Sequence, residues 1–181
     1  MVDIKYRVNA AVRSDEYLQA ALDSKAHYIF LLQSNVLTLK DNVDRIHEAG
    51  KMAFVHLDFV AGIARDKVGL QLLKKLGVDG IITTRTSMIK TAKEAGFITI
   101  QRFFIIDSHS IDTAVDSIKI SNPDLVEVMP AVIYHKIAEI AKQVNVPVMT
   151  AGLIDTEEDL QASIDAGAKA VATSQIELWG K

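Results

Sequence analysis

The chain holds 181 residues, 49% apolar and 24% charged, which is enough apolar matter for a sizeable core in one domain. Twenty basic against twenty-three acidic residues leave a net charge of −3, which is not the footprint of a strong nucleic-acid binder. The absence of cysteine excludes a disulfide scaffold, thiolate metal sites and a cysteine nucleophile, and the composition is neither disordered nor collagen-like.

The opening stretch Met1–Ala10 lacks the apolar h-region of a signal peptide. The longest unbroken apolar run, Tyr28 to Leu32, is far too short to span a bilayer. A soluble, intracellular chain without a membrane segment is expected. From there, short apolar runs alternate with amphipathic stretches. The run Arg7–Val12 is followed by Arg13, and His27–Leu32 comes next. Leu39, Val43 and Ile46 then recur at helical spacing, with Thr38 and Asp41 reading as N-cap and partner. Met52–Phe59 precedes a stripe of Val68, Leu72, Leu73 and Leu76. Gly80–Thr84 and Phe97–Phe104 follow, then the stripe Ile111, Val115 and Ile118. Leu125–Met129 leads into Ile137, Ile140, Ala141 and Val144. Val146–Ala151 and Ala168–Ser174 close the series, separated by a helix whose start is marked by Thr156 and Asp159. Trp179 is expected to pack.

A short punctuation recurs as His47-Glu48-Ala49-Gly50, Lys93-Glu94-Ala95-Gly96 and Ile164-Asp165-Ala166-Gly167, each before an apolar run. Glycine just past a helix relieves a left-handed cap, so each copy marks a turn between helix and strand. Eight strand-like runs alternating with about eight helices leave two architectures, a closed (β/α)8 barrel and an open doubly wound sheet. The length allows only about 23 residues per unit, short for a barrel but compatible with ordinary loops. An open sheet would carry a glycine-rich turn after its first strand, and Arg13-Ser14-Asp15 is none. A compact single-domain α/β (β/α)8 TIM-type barrel over residues 1–181 is expected.

In such a barrel the working residues sit at the carboxyl ends of the strands. Those positions hold Arg13, His56, Asp58, Thr83, Thr84, Arg85, Gln101, Arg102, Glu127, Gly152, Thr173 and Ser174. Alternation puts His56 and Asp58 on one face, and Leu125, Glu127 and Met129 on another. These polar groups either satisfy one another or meet a ligand. The stretch Met149–Ile154 ends strand seven, and Ala172–Gln175 ends strand eight. Small residues there let backbone amides approach an anion, with a helix N-terminus behind them, and Thr173 and Ser174 add hydroxyls. Arg85 and Arg102 are candidates to complete the anion site. No strand-end lysine, Gly-x-Ser-x-Gly elbow, His-Glu-x-x-His helix or P-loop is present. His56, Asp58 and Glu127 lack characteristic metal spacing.

Several strings, in order, resemble one known family. They are Ala11-Val12-Arg13, His56-Leu57-Asp58-Phe59-Val60-Ala61-Gly62-Ile63, Gly80-Ile81-Ile82-Thr83-Thr84-Arg85 and Gln101-Arg102-Phe103-Phe104. The match continues through Pro123–Pro130, Gly152-Leu153-Ile154-Asp155-Thr156-Glu157-Glu158-Asp159, Thr173-Ser174 and Leu178-Trp179. The chain resembles the glycerol-3-phosphate-responsive antiterminators of bacterial glycerol-uptake operons. Ala151 and Ala131 depart from that pattern, where glycine is usual.

The resemblance implies a cytoplasmic regulator, not an enzyme, that senses glycerol 3-phosphate and binds the leader mRNA of a glycerol-utilisation operon to prevent early termination. It implies no cofactor beyond that effector. Gly152, Leu153, Thr173, Ser174, Arg85 and Arg102 would take the phosphate. His56, Asp58, Glu127, Thr84, Gln101 and Arg13 would line the mouth or meet the polyol. The lysines at 67, 74, 75, 90 and 93 are candidates for RNA, and the stretch Asp58–Lys67, with Arg65, is a candidate movable loop. Self-association stays open. So do two rivals, an enzyme acting on a small phosphorylated metabolite and a sensor working through protein contacts.

Overall fold

The computed structural model describes residues 7–180, so the domain expected over residues 1–181 runs past them at both ends. Eight parallel strands alternate with helices. They are β1 (Val8–Val12), β2 (Tyr28–Leu31), β3 (Met52–His56), β4 (Gly80–Thr83), β5 (Ile98–Phe104), β6 (Leu125–Met129), β7 (Val148–Ala151) and β8 (Ala170–Thr173). Each pairs with its chain neighbour and β8 pairs with β1, closing the barrel. The helices are α1 (Asp15–Asp23), α2 (Leu39–Glu48), α3 (Lys67–Lys75), α4 (Thr86–Glu94), α5 (Ser108–Ser121), α6 (Tyr134–Gln143) and α7 (Glu157–Asp165). The fold is a (β/α)8 TIM-type barrel. Among the described residues no helix is long and apolar enough to cross a membrane.

Strand periodicity sorts the core into layers. Outward residues such as Val12, Leu31, Val55 and Ile81 pack beneath the helices, and Val126, Val128 and Val148 do so on the far side. Inward residues Phe30, Phe54, Ile82, Ile100, Leu125 and Met149 fill the barrel axis. Phe54 stacks obliquely against both Tyr28 and Phe30, with ring centroids 5.4 and 5.2 Å apart. Gly80 makes room for that ring, because a Cβ there would lie 2.1 Å from it. Gly80→Ala should therefore destabilise by about 1–3 kcal/mol through overpacking, seen as a lower urea midpoint at unchanged slope.

The three predicted helix-end glycines, Gly50, Gly96 and Gly167, all take left-handed φ values of 72°, 79° and 103°. The Thr156/Asp159 capping box also forms. The Thr38 cap does not. Thr38 lies in helical conformation without a side-chain cap bond, and Asn35 Oδ1 accepts instead from the amides of Leu37 and Thr38. Among the described residues an eighth α-helix is also missing. After β8 the chain makes only a 3-10 turn, Ile176–Leu178, before Trp179 folds back onto the barrel. Its indole donates to the Thr173 carbonyl at 2.8 Å and its ring meets the edge of Tyr17. Trp179 packs, as expected.

Candidate functional site

The carboxyl ends of the strands form an open mouth, and its polar groups fall into two clusters. The first centres on Arg102, whose side chain shares the axis-facing side of β5 with Ile100. Its Nε donates to Glu127 Oε2 in a very short contact, and its Nη2 meets His56 Nε2 at 2.8 Å. Glu127 is wholly buried, and its Oε1 has no partner among the described residues. His56 is buried as well. Burial first, and the Arg102 charge second, lower its pKa to about 3, so at neutral pH it is an uncharged acceptor for Arg102. Among the described residues no acceptor meets the guanidinium's Nη1 hydrogens or the second hydrogen on Nη2.

The second cluster lies on the β3–β4 side. Asp58 accepts from Thr83 Oγ1 at 2.9 Å, from the Thr84 amide at 3.3 Å and from Arg85 Nε at 3.1 Å. His56, Asp58 and Glu127 therefore do not satisfy one another, as one sequence reading allowed. Arg102 joins two of them and Arg85 takes the third. Arg85 stays half exposed, across the mouth from the β7–β8 turns. The stretch after Asp58 is already held, because Val60–Ala61 pairs with Ser34–Asn35 and Arg65 donates to the Asp58 carbonyl.

A cleft of about 160 Å³ opens between the β7 and β8 ends, bordered by Arg102, Glu127, Gly152, Leu153 and Ser174. Gly152 and Leu153 have consecutive positive φ values, 77° and 59°. In leucine this conformation costs of order 1 kcal/mol or more, so the strain is concentrated at the cleft. Thr173 braces the two turns, its hydroxyl donating to the Ile154 carbonyl at 2.8 Å and accepting from the Gln175 amide. Its proton is thus committed within the protein. Asp155, also on the cleft, accepts from Gln175 Nε2. The helix dipole expected behind these turns is taken up internally, because α7 is closed by its own capping box and starts with Glu157, Glu158 and Asp159.

Two neighbouring clefts share the Arg102 side chain. One, of about 290 Å³, is bordered by Arg13, Gln33, His56 and Phe59. The other, of about 80 Å³, is bordered by His56, Asp58, Phe59, Thr84 and Phe104. Arg13 is exposed, bonded to the Tyr17 hydroxyl and stacked on its ring. Gln101 does not line the mouth. It points outward, where its amide donates to Thr86 and its carbonyl accepts from Ser121, because adjacent strand residues face opposite ways. Sequence reasoning did not select Phe59 and Phe104, both more than half exposed. The shared alternation of Arg102 with Phe104 was the available signal. Among the described residues no group of three or more His, Cys, Asp or Glu is placed to hold a metal ion.

Comparison with known proteins adds a family. The sequence profile described as glycerol-3-phosphate responsive antiterminator matches residues 8–179. The uncharacterized protein YgcP of Escherichia coli K12 is 36% identical over 173 residues, 95% of this chain and 91% of its own. The crystal structure of a glycerol uptake operon antiterminator regulatory protein from Listeria monocytogenes superposes with a TM-score of 0.91 at 31% identity, covering 97% of this chain and 95% of that one. A glycerol uptake operon antiterminator-related protein from Thermotoga maritima gives 0.86 at 30% identity, covering 96% and 97%.

Proposed function

Because the chain belongs to the glycerol-3-phosphate responsive antiterminator family, we propose that it senses glycerol 3-phosphate at the barrel mouth and acts on a leader transcript. The effector lies in the β7–β8 cleft. The backbone amides at Gly152, Leu153 and Ser174 and the open hydrogens of Arg102 take its phosphate, a turn being a natural anion cradle. Glu127 Oε1 accepts from a glycerol hydroxyl, a suitable division because carboxylates only accept. The observation carrying this reading is the orphaned, buried Glu127 oxygen beside an incompletely used guanidinium. Leaving such a group unpaired costs about 1–3 kcal/mol or more, and a hydroxyl would relieve that cost.

The bound state then favours binding to the leader mRNA of a glycerol-utilisation operon in the cytoplasm, preventing early termination without chemical turnover. The absence of a strand-end lysine or a cysteine supports a sensor over an aldolase-like enzyme. By linkage, RNA must raise effector affinity by the factor by which effector raises RNA affinity.

Two measurements test this. Glycerol 3-phosphate should raise the melting temperature where glycerol or inorganic phosphate alone does little, and Gly152→Val should abolish the rise. Valine is strained at φ 77° and would reshape the turn. Leader-RNA affinity at fixed ionic strength should increase with glycerol 3-phosphate. Equal affinities would remove the sensor role, and turnover of the ligand at enzyme-like rates would replace it with the enzyme reading.

A further inference from the structure

Among the described residues, most of the large apolar side chains left exposed sit at one end of the molecule. Phe59 and Phe104 are joined there by Leu37, Ile106, Val132 and Ile176, all on loops, strand ends or short 3-10 turns that follow the barrel strands. Surface apolar residues scattered singly need no explanation, but a crown around a polar cleft marks an interaction site. The two phenylalanines border the same small cleft, whose other walls are His56, Asp58, Thr83, Thr84 and Arg102.

The charges of this end choose the occupant. Arg13, Arg65 and Arg85 stand exposed on the loops after β1, β3 and β4. Asp15 and Glu16 follow Arg13 in the first turn of α1, and three further carboxylates of this end are engaged within the protein. Asp58 holds Thr83 and Arg85, Asp66 caps α3, and Asp107 caps α5. Exposed aromatic faces ringed by arginines match a single-stranded nucleic acid, whose bases stack and whose phosphates take forked donors. The lysine face of α3 and α4 presents no exposed aromatic ring among the described residues, Phe97 beside it being buried. Lys74 is bound to the Gly96 carbonyl and lies over the Phe97 ring, and Lys93 holds Asn122 and Asp124.

We propose that the barrel mouth is the RNA-reading surface: an unpaired base of the transcript stacks on Phe59 and Phe104, and Arg13, Arg65 and Arg85 take the flanking phosphates. This rests on the RNA-binding reading above and adds its location and its link to the effector. Arg102 borders both the effector cleft and the aromatic cleft. A phosphate that fixes its guanidinium also fixes the floor on which the base sits. Effector and RNA thus meet at one side chain, which gives the reciprocal coupling a physical carrier.

The test measures anisotropy of a fluorescein-labelled leader transcript of the glycerol-utilisation operon, with full-length protein and saturating glycerol 3-phosphate. Phe59→Ala and Phe104→Ala should each weaken RNA binding by about 10-fold or more, the scale of a lost base–aromatic stack. Their glycerol 3-phosphate-induced melting shift should stay at the wild-type value, which shows the variants folded and the effector cleft intact. Phe59→Trp should retain RNA affinity, because it keeps a stacking face. Wild-type affinity in both alanine variants would overturn the mouth as RNA surface while leaving the antiterminator reading standing. Loss of self-association in those variants, with RNA binding unchanged, would assign the crown to a second copy of the chain and also overturn it. If the wild-type protein binds no leader RNA in either effector state, the RNA reading itself falls, and this inference with it.

Discussion

Arg102→Met should lower the unfolding free energy by about 3–5 kcal/mol and abolish the melting-temperature rise that glycerol 3-phosphate produces in the parent. The first effect follows from leaving Glu127, wholly buried, as an uncompensated charge. The second follows from losing the only cation bordering the β7–β8 cleft among the described residues. In the parent, ligand at about 100 times its dissociation constant adds about 2.7 kcal/mol, roughly 5–10 °C for a domain of this size. A double variant, Arg102→Met with Glu127→Leu, separates the two effects. Replacing both members of a buried ion pair by apolar groups of similar volume is often near neutral. Stability should therefore return while the ligand response stays absent. A double variant that regained the glycerol 3-phosphate shift would show that neither group binds the effector.

How far the sequence reaches is clearest on strand β5. The apolar runs and helix-end glycines specified eight parallel strands, because strand and helix periodicity are local properties. The same periodicity, applied strictly to Gln101 and Arg102, allows only one of the two to face the axis, and the structure gives that position to Arg102. What local pattern could not supply is the partner. Glu127 and His56 stand 25 and 46 residues away from Arg102, and only closure of the barrel brings the three together. Placing Arg85 and Arg102 in one anion site had the same weakness. Both stand at strand ends, yet Asp58 holds Arg85 on the β3–β4 side. The eighth helix is a different matter: after β8 the described residues hold only the 3-10 turn Ile176–Leu178 and the buried Trp179.

Acidification should cost the protein about 2 kcal/mol of stability between pH 7.5 and pH 5 through His56 alone. In the folded chain the imidazole titrates at about 3 rather than 6.5, chiefly because it is buried and secondly because Arg102 stands beside it. Below pH 6.5 the unfolded chain therefore binds a proton that the folded chain refuses. The proton count favours unfolding, and stability rises with pH through this interval. The contribution is complete above about pH 6.5 and is lost steadily as pH falls towards 3, at about 1.4 kcal/mol per pH unit. Asp124 acts lower down. Burial would raise its pKa, but bonds from Thr99 and Lys93 outweigh that and hold it below 3.8, so its contribution is lost only below that value. His56→Gln isolates the histidine, because a glutamine carbonyl still accepts from Arg102 but does not titrate. Urea unfolding of parent and variant at pH 7.5 and pH 5 cancels the remaining histidines. The parent should lose about 2 kcal/mol more than the variant, and equal losses would mean that His56 is protonated in the folded state and that Arg102 is held by other groups.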